Sequence, residues 1–320
     1  MSTSNTVLVT GASGFVGSKL LEQLPLDSTL SLGRDKPEGQ PSENFFELEI
    51  RNDIDYTVAL SDVDVLVHLA ARVHVMNDSA SDPLEEYREV NTLGTVNLAR
   101  QAAKAGVKRF VFISSIKVNG EGTPHNKPFT SADAHIPEDD YGLSKSEAEH
   151  NLYEIGKETG MEIVVIRPTI VYGPGVKANF ASLMNLVSKG IPLPFGCIKD
   201  NRRSLVSVTN LVDLIVTCIN HPKAANQTFL VSDDHDLSTS EMVLQMAKAL
   251  DKPQWQLPVP KWCYKLAGKV FSKQDVVYRL LGSLQVDISH TKDTLGWTPP
   301  QSLEAGFKEA AQAFLKSKKK

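Results

Sequence analysis

Tyr141 and Lys145 stand four residues apart at the start of a predicted helical run, which puts a phenol and an ammonium on one face, one turn apart. A tyrosine phenol ordinarily keeps its proton to about pH 10, and a fixed cation beside it stabilises the phenolate. At neutral pH an unassisted phenol is ionised to only about one part in a thousand, so the cation matters for any step that removes a proton. Such a pair is an acid/base for a sugar-type hydroxyl or carbonyl. Taken alone, the spacing reads more simply as two residues on a helix surface, and the surroundings have to decide.

The first of those surroundings is Gly11-Ala12-Ser13-Gly14-Phe15-Val16-Gly17, between a strand predicted over 6–10 and a helix predicted over 16–24. Glycine permits the tight turn and close approach of a pyrophosphate, and the helix N-terminus offers free N–H groups. The pattern is GxxGxxG, one residue longer in its turn than the usual GxGxxG dinucleotide fingerprint. Its position favours a phosphate loop over a simple turn, with Gly11, Ser13, Gly14, Phe15, Val16 and Gly17 as cofactor contacts. The second strand runs into Leu32-Gly33-Arg34-Asp35. A carboxylate at the strand end would grip the adenosine ribose and indicate NAD, whereas Gly33 followed by Arg34 favours NADP. A strand ending two residues later would bring Asp35 into that place and restore NAD. Glu49 and Ile50, after a short third strand, are placed to touch the adenine, and an exposed loop acid is the competing reading of Glu49.

These residues need a frame. Strands predicted over 6–10, 29–32, 45–48, 63–70, 109–114 and 163–167 alternate with helices over 16–24, 87–105 and 140–160, the pattern of repeated βα units. The fold class is α/β with a doubly wound parallel sheet. Ser115 follows the strand over 109–114, at the sheet edge where open α/β folds build their sites. Past Gly173-Pro174-Gly175 the texture changes, with Pro192, Pro194, Pro253, Pro258, Pro260, Pro299 and Pro300 punctuating shorter elements. A smaller C-terminal substrate-binding domain is expected there, over about 174–206 plus 233–320. A helix over 210–220 and a strand over 229–231 return to the first domain, which takes 1–173 plus about 207–232.

The chain has 320 residues, 41% of them hydrophobic, enough to bury a substantial core. Its net charge of −4, from 34 basic and 38 acidic side chains with no basic stripe before the tail Lys316 to Lys320, argues against nucleic acid. That tail reads as a solvated end. Cys197, Cys218 and Cys263 lack disulfide or zinc spacing, and His74, His135, His150 and His235 lack metal spacing, so no metal is expected. A reducing cytoplasm fits. There is no signal-peptide pattern, and no apolar run approaches the ~20 residues of a membrane span, so no stable membrane insertion is expected.

With Gly11, Gly14, Gly17, Ser115, Tyr141 and Lys145 in this order, the chain resembles the short-chain dehydrogenase/reductase superfamily. More narrowly it resembles the extended, Rossmann-fold NAD-dependent epimerase/dehydratase family that acts on nucleotide sugars. His68-Leu69-Ala70-Ala71 is similar to the family's fourth-strand signature, Asn91 to its following helix, and Arg167 to Gly175 to its segment beside the nicotinamide. The resemblance implies that Tyr141 donates or accepts the proton, that Lys145 holds the nicotinamide ribose and lowers the Tyr141 pKa, and that Ser115 orients the sugar oxygen. It adds Leu69, Ala70, Ala71, Asn91, Pro168 and Ile170 to the cofactor contacts, and it implies a homodimer.

Dehydratases of the family carry an acidic pair directly after the hydroxyl residue, and this chain has Ile116 and Lys117 there. An aliphatic side chain transfers no proton, so dehydration is disfavoured. Lys117 is either a surface residue or a contact to an acidic or amide-bearing substrate. Asn119 stands where the epimerase pattern usually has Tyr. Together with Arg72-Val73-His74 and Lys177-Ala178-Asn179, it resembles the bacterial UDP-N-acetyl-quinovosamine dehydrogenases, which reduce a UDP-4-keto-6-deoxy-N-acetylhexosamine at carbon 4. That reduction is the expected activity, with UDP-sugar 4-epimerisation the alternative and a non-catalytic NADP-binding regulator the reading from another class. Expected substrate contacts are Val73, Ser115, Lys117, Asn179, Arg203 and the weaker Arg279, with arginine suited to bidentate phosphate contact. The segment Pro192 to Phe195 either flanks the uracil or packs as an ordinary loop.

Overall fold

The computed structural model describes residues 5–73, 82–124, 126–176 and 178–318, apart from the side chains of Ala178, Asn179 and Asp275. Strands β1 (Val7–Thr10), β2 (Thr29–Gly33), β3 (Phe45–Glu47), β4 (Val65–His68), β5 (Arg109–Ile113), β6 (Glu162–Pro168) and β9 (Gln227–Val231) form one seven-stranded sheet. Their order is β3-β2-β1-β4-β5-β6-β9 and every pairing is parallel. The short strands β7 (Ile170–Tyr172) and β8 (Leu205–Ser207) pair separately, also in parallel.

Alternation along the strands builds two layers. Val7 and Val9 face one core with Val65, Val67 and Val111, against helices α1 (Phe15–Leu21) and α6 (Val208–Asn220). Leu8, Leu66, Phe110 and Phe112 face the other core, against α3 (Thr95–Ala105) and α4 (Asp140–Thr159). Covering both faces is what lets parallel strands be apolar throughout. Strand order reverses between β1 and β4, so a crevice opens at their carboxyl ends, the usual ligand position in such sheets.

The single helix expected over 87–105 starts earlier and is interrupted. Helix α2 (Pro83–Tyr87), capped by the Asp82 carboxylate on the Glu85 N–H, runs into a π-helical stretch Arg88–Gly94 before α3. Gly94 lies there against Ile50, where a Cβ would come within 2.9 Å of the Ile50 Cγ2. Helix α3 stops at Gly106, whose φ of 89° is left-handed, as the sequence predicts.

After β7 the chain leaves the sheet through α5 (Ala178–Ser188), returns with α6 and β9, and leaves again through α7 (Thr239–Ala249), α8 (Lys261–Val270), α9 (Gln274–Leu281), α10 (Ser289–Leu295) and α11 (Leu303–Ser317). A third core gathers Tyr172, Phe180, Met184, Met246 and Phe307, with Tyr172 and Phe180 stacked at 5.2 Å. Leu193 is buried in this core and Phe195 packs against it, so both pack as loop residues. Cys218 is buried, and Cys197 and Cys263 are half-buried. Among the described residues no helix is long and apolar enough to cross a membrane.

Candidate active site

At the glycine turn, each glycine answers a different crowding. Gly11 has φ +68°, and a Cβ there would sit 2.7 Å from the Ala70 nitrogen. A Cβ on Gly17 would sit 2.3 Å from the Gly11 oxygen. Gly14 begins α1 with no side-chain cap and no acid in the first turn, leaving the positive helix end open. Ser13 and Gly14 are exposed beside it, and Phe15 and Val16 are half-buried. A dinucleotide's pyrophosphate fits this turn on both shape and charge.

Under the turn, His68 joins three elements, pairing through Nδ1 with Thr10 Oγ1 at 2.7 Å and through Nε2 with Thr95 Oγ1 at 2.9 Å. Burial, with the Lys145 charge nearby, pushes its pKa down to about 3, so the link is neutral at working pH. Thr10 Oγ1 also accepts the Ala70 N–H at 3.2 Å, fixing the half-buried run Leu69, Ala70, Ala71 at the end of β4.

At the other end of the crevice, β2 stops at Gly33, paired with Glu47. No atom lies within 4 Å of a Cβ built on Gly33, and Arg34 and Asp35 are exposed beyond it. The Glu49 side chain is exposed while its carbonyl accepts from the buried Tyr56 hydroxyl at 2.8 Å. Ile50 is buried against Gly94.

Asn91 is held at three points by protein groups. Its Oδ1 accepts the Arg72 N–H at 2.9 Å, and its Nδ2 donates to the Arg72 carbonyl and to Ser144 Oγ, both at 3.0 Å. The amide is thus engaged by protein, and Asn91 ties the loop after β4 to α4.

Ser114 and Ser115 point opposite ways, as successive residues of an extended chain do. The Ser114 hydroxyl is buried and donates to Glu149, whereas Ser115 is half-buried and accepts the Lys117 N–H at 3.2 Å. Tyr141 lies in the first turn of α4, half-buried and edge-on to Tyr87 at 6.2 Å. Lys145, one turn on, is only 1% exposed; its Nζ donates to the Ile113 carbonyl at 3.0 Å and lies 4.4 Å from the Phe112 ring centroid.

Burial pushes the Lys145 pKa down to about 7, opposed by Glu149. Burial, then the Asp139 carboxylate and Tyr87, raise the Tyr141 phenol above its ordinary value. In this geometry every cause acting on the phenol raises its pKa, desolvation first, and the expected lowering by Lys145 is not among them.

Lys117 is bound to two carboxylates, Glu121 at 2.6 Å and the α4 cap Asp139. Its ammonium braces the start of α4, so the charge expected to meet substrate is already paired. Arg203 is 9% exposed, donates to the Arg279 carbonyl, and has no carboxylate partner among the described residues. Burial and the Arg279 charge lower its pKa. A buried guanidinium left without a counter-anion is a built place for phosphate. Exposed Arg279 and Tyr278 sit beside it on α9, and the Tyr278 hydroxyl closes on Gly122, where a Cβ would approach to 2.7 Å. Val73 and Ile170 are exposed, and Pro168 is buried in β6, opposite Val231. The Asn179 side chain, like His74 and Lys177, lies outside the described residues.

Sequence reasoning missed the polar cluster beneath the Ser/Tyr/Lys set. Arg167, from β6, reaches Glu149 through Nε at 3.0 Å and Nη2 at 2.5 Å, Asn119 Oδ1 at 3.0 Å and His135 Nε2 at 2.6 Å. Arginine only donates, so His135 accepts at Nε2 and donates from Nδ1 to Ser146 Oγ at 2.8 Å. A signal was present: Tyr141, Lys145 and Glu149 continue one i, i+4, i+8 stripe.

Residues 7–232 match the NAD dependent epimerase/dehydratase family. The chain is 63% identical, over 98% of its length and 96% of the relative's, to a Vibrio cholerae UDP-glucose 4-epimerase. In solved structures, the Thermotoga maritima UDP-glucose 4-epimerase with UDP-glucose superposes with TM-score 0.75 at 22% identity, covering 97% of this chain and 99% of that one. The Bacillus cereus UDP-glucuronic acid 4-epimerase in complex with NAD gives 0.77 at 20% identity, covering 97% and 99%. The parallel sheet carries an uncapped glycine turn after β1, with Ser115 just past the end of β5 and Tyr141 and Lys145 at the start of α4, and the match spans the sheet from β1 to β9: the chain is an enzyme belonging to the NAD dependent epimerase/dehydratase family.

Proposed function

We propose that this enzyme is a UDP-sugar 4-epimerase acting on UDP-glucose or UDP-N-acetylglucosamine and their galacto forms. The observation that carries this is the full-length identity of 63% to a UDP-glucose 4-epimerase, joined to an acid/base set that lacks a dehydratase's second acid. Ile116 is buried and Lys117 is tied to Glu121 and Asp139, so neither supplies that acid.

In this reading the segments 1–173 and about 207–232 bind the cofactor, and 174–206 with 233–320 hold the UDP. Arg203 takes the nucleotide end, with Arg279, Asn179 and Val73 as the further proposed contacts. The Ser115 hydroxyl orients the sugar's 4-oxygen. Tyr141 acts as its phenolate, having first released to solvent the proton that burial holds on it; its oxygen then takes the 4-hydroxyl proton and returns it to the same oxygen after the configuration at carbon 4 has changed. Lys145 holds the nicotinamide ribose. A bound nicotinamide cofactor would supply a reversible hydride acceptor for carbon 4 and would not be consumed.

NAD is the cofactor proposed, from the family and the NAD-bound neighbour. The open space at Gly33 with Arg34 beside it supports acceptance of NADP as well. A 4-reductase acting on a UDP-4-keto-6-deoxy-N-acetylhexosamine is the second reading, favoured by Asn119 where epimerases usually have Tyr. The deciding experiment incubates the enzyme with UDP-glucose and UDP-N-acetylglucosamine at trace NAD, and separately with the 4-keto sugar and stoichiometric NADH or NADPH. Interconversion with the galacto forms and no net cofactor change supports epimerisation. Stoichiometric loss of reduced cofactor without interconversion replaces it by reduction.

A further inference from the structure

An exposed apolar stripe lies on α8. Trp262, Leu266 and Val270 recur at i, i+4 and i+8 and are 65%, 56% and 68% exposed, with Phe271 at the helix end 73% exposed. Lys261, Lys265 and Lys269 form the adjoining row at the same spacing. At 100° per residue, a lysine row and an apolar row lie side by side along the outer face. The inner face is fixed by Gly268, where a Cβ would lie 2.7 Å from the Val277 Cγ2 of α9.

Charge identifies what covers this face. From Lys252 to Gln274 the chain carries five lysines and no acid, in a protein of net charge −4. Lys261 pairs with Asp200, and among the described residues no carboxylate pairs with Lys265, Lys269 or Lys273. Lysine ammonium groups above an aromatic and aliphatic stripe match an anionic bilayer, with stems lying along the acyl boundary and heads at the phosphates.

We propose that α8 docks the enzyme peripherally on anionic lipid surfaces, with Trp262, Leu266, Val270 and Phe271 entering the interface and Lys265, Lys269 and Lys273 meeting the headgroups. Because α8 packs on α9, whose Arg279 carbonyl holds Arg203, docking sets one wall of the substrate crevice beside the membrane. The docking stands on exposure and charge, and it holds whichever carbon 4 reaction the enzyme performs.

Flotation of the full chain with phosphatidylglycerol/phosphatidylcholine vesicles, against pure phosphatidylcholine, tests this. Binding to the anionic vesicles alone, released by high salt and accompanied by a blue shift of tryptophan emission, is expected. Two variants, Trp262→Ser/Leu266→Ser and Lys265→Glu/Lys269→Glu, should each weaken binding by about tenfold or more while leaving turnover of soluble substrate unchanged. Deleting residues 316–320 should leave binding intact. No flotation, or flotation that survives both variants, overturns the proposal. So does a fall in molar mass of the α8 variants by light scattering, which would make the face an interface between two copies.

Discussion

The ammonium of Lys145 donates to the backbone carbonyl of Ile113 at 3.0 Å, which ties the cation of the Tyr-x-x-x-Lys pair to the end of β5. The helix spacing brings Lys145 under Tyr141, and the strand end dictates where its charge points. Folding therefore places an ammonium where water is scarce, and its pKa drops to about 7.

That drop has a stability consequence with a definite sign. In the unfolded chain Lys145 stays protonated to its ordinary 10.5, and in the folded protein it loses the proton near 7. Between those values the unfolded state binds the extra proton, so this residue makes stability rise with pH from about 7 to 10.5, with no slope below 7. Denaturant midpoints across that window should show the slope in the wild type and lose it in Lys145→Met. Cofactor affinity should run the other way, weakening above about pH 7 as the ammonium is lost, and flattening in the same variant.

Tyr141→Phe should lower kcat by about 10²–10⁴-fold with cofactor affinity within a few-fold of wild type, because the phenol moves a proton and burial, not its hydroxyl, fixes the ring. Cofactor titration beside product analysis separates the two. Unchanged turnover would remove Tyr141 from its assigned role.

Glu149 and Arg167 form a buried pair, 0% and 3% exposed, that clamps α4 to β6 beneath the site. Glu149→Ala leaves an unpaired guanidinium in the core and should cost about 3–5 kcal/mol of unfolding free energy. Chemical denaturation of the single variants and of the double variant with Arg167→Met measures it. A double variant less stable than Glu149→Ala would contradict the unpaired-charge argument.

Arg203→Ala should raise KM for a UDP-sugar by about 10- to 100-fold and leave kcat nearly unchanged, since losing a charged hydrogen bond to phosphate removes binding shared by ground and transition states. Arg203→Lys should recover part of the loss, being a point charge without the fork. An unchanged KM would point to a structural role.

At the cofactor end, Gly33→Asp should raise preference for NAD over NADP, since the new carboxylate enters open space where it would grip ribose hydroxyls and repel a 2′-phosphate. The ratio of the two dissociation constants is the measurement. A ratio that stays flat would move the ribose away from the end of β2.

Much of this was legible in the sequence, because local chemistry has local signatures. The glycine turn, the apolar strands, the left-handed Gly106 and Gly160 caps and the Tyr141/Lys145 stripe depend on near neighbours in the chain, and residue type and period report them directly. Tertiary structure alone decided how those groups are charged and engaged. Asn91, Lys117 and Arg167 have the right chemistry for ligand contact, yet each is taken by a partner 18 or more residues away, such as Arg72 for Asn91, or held in a brace, as Lys117 is by Asp139. The Tyr141 phenol, read from spacing, should be acidified by its lysine; buried beside Asp139, it is held in its neutral form. Sequence spacing fixes which side chains share a face, while desolvation and long-range pairing fix their protons and partners, and those exist only once the chain has closed on itself.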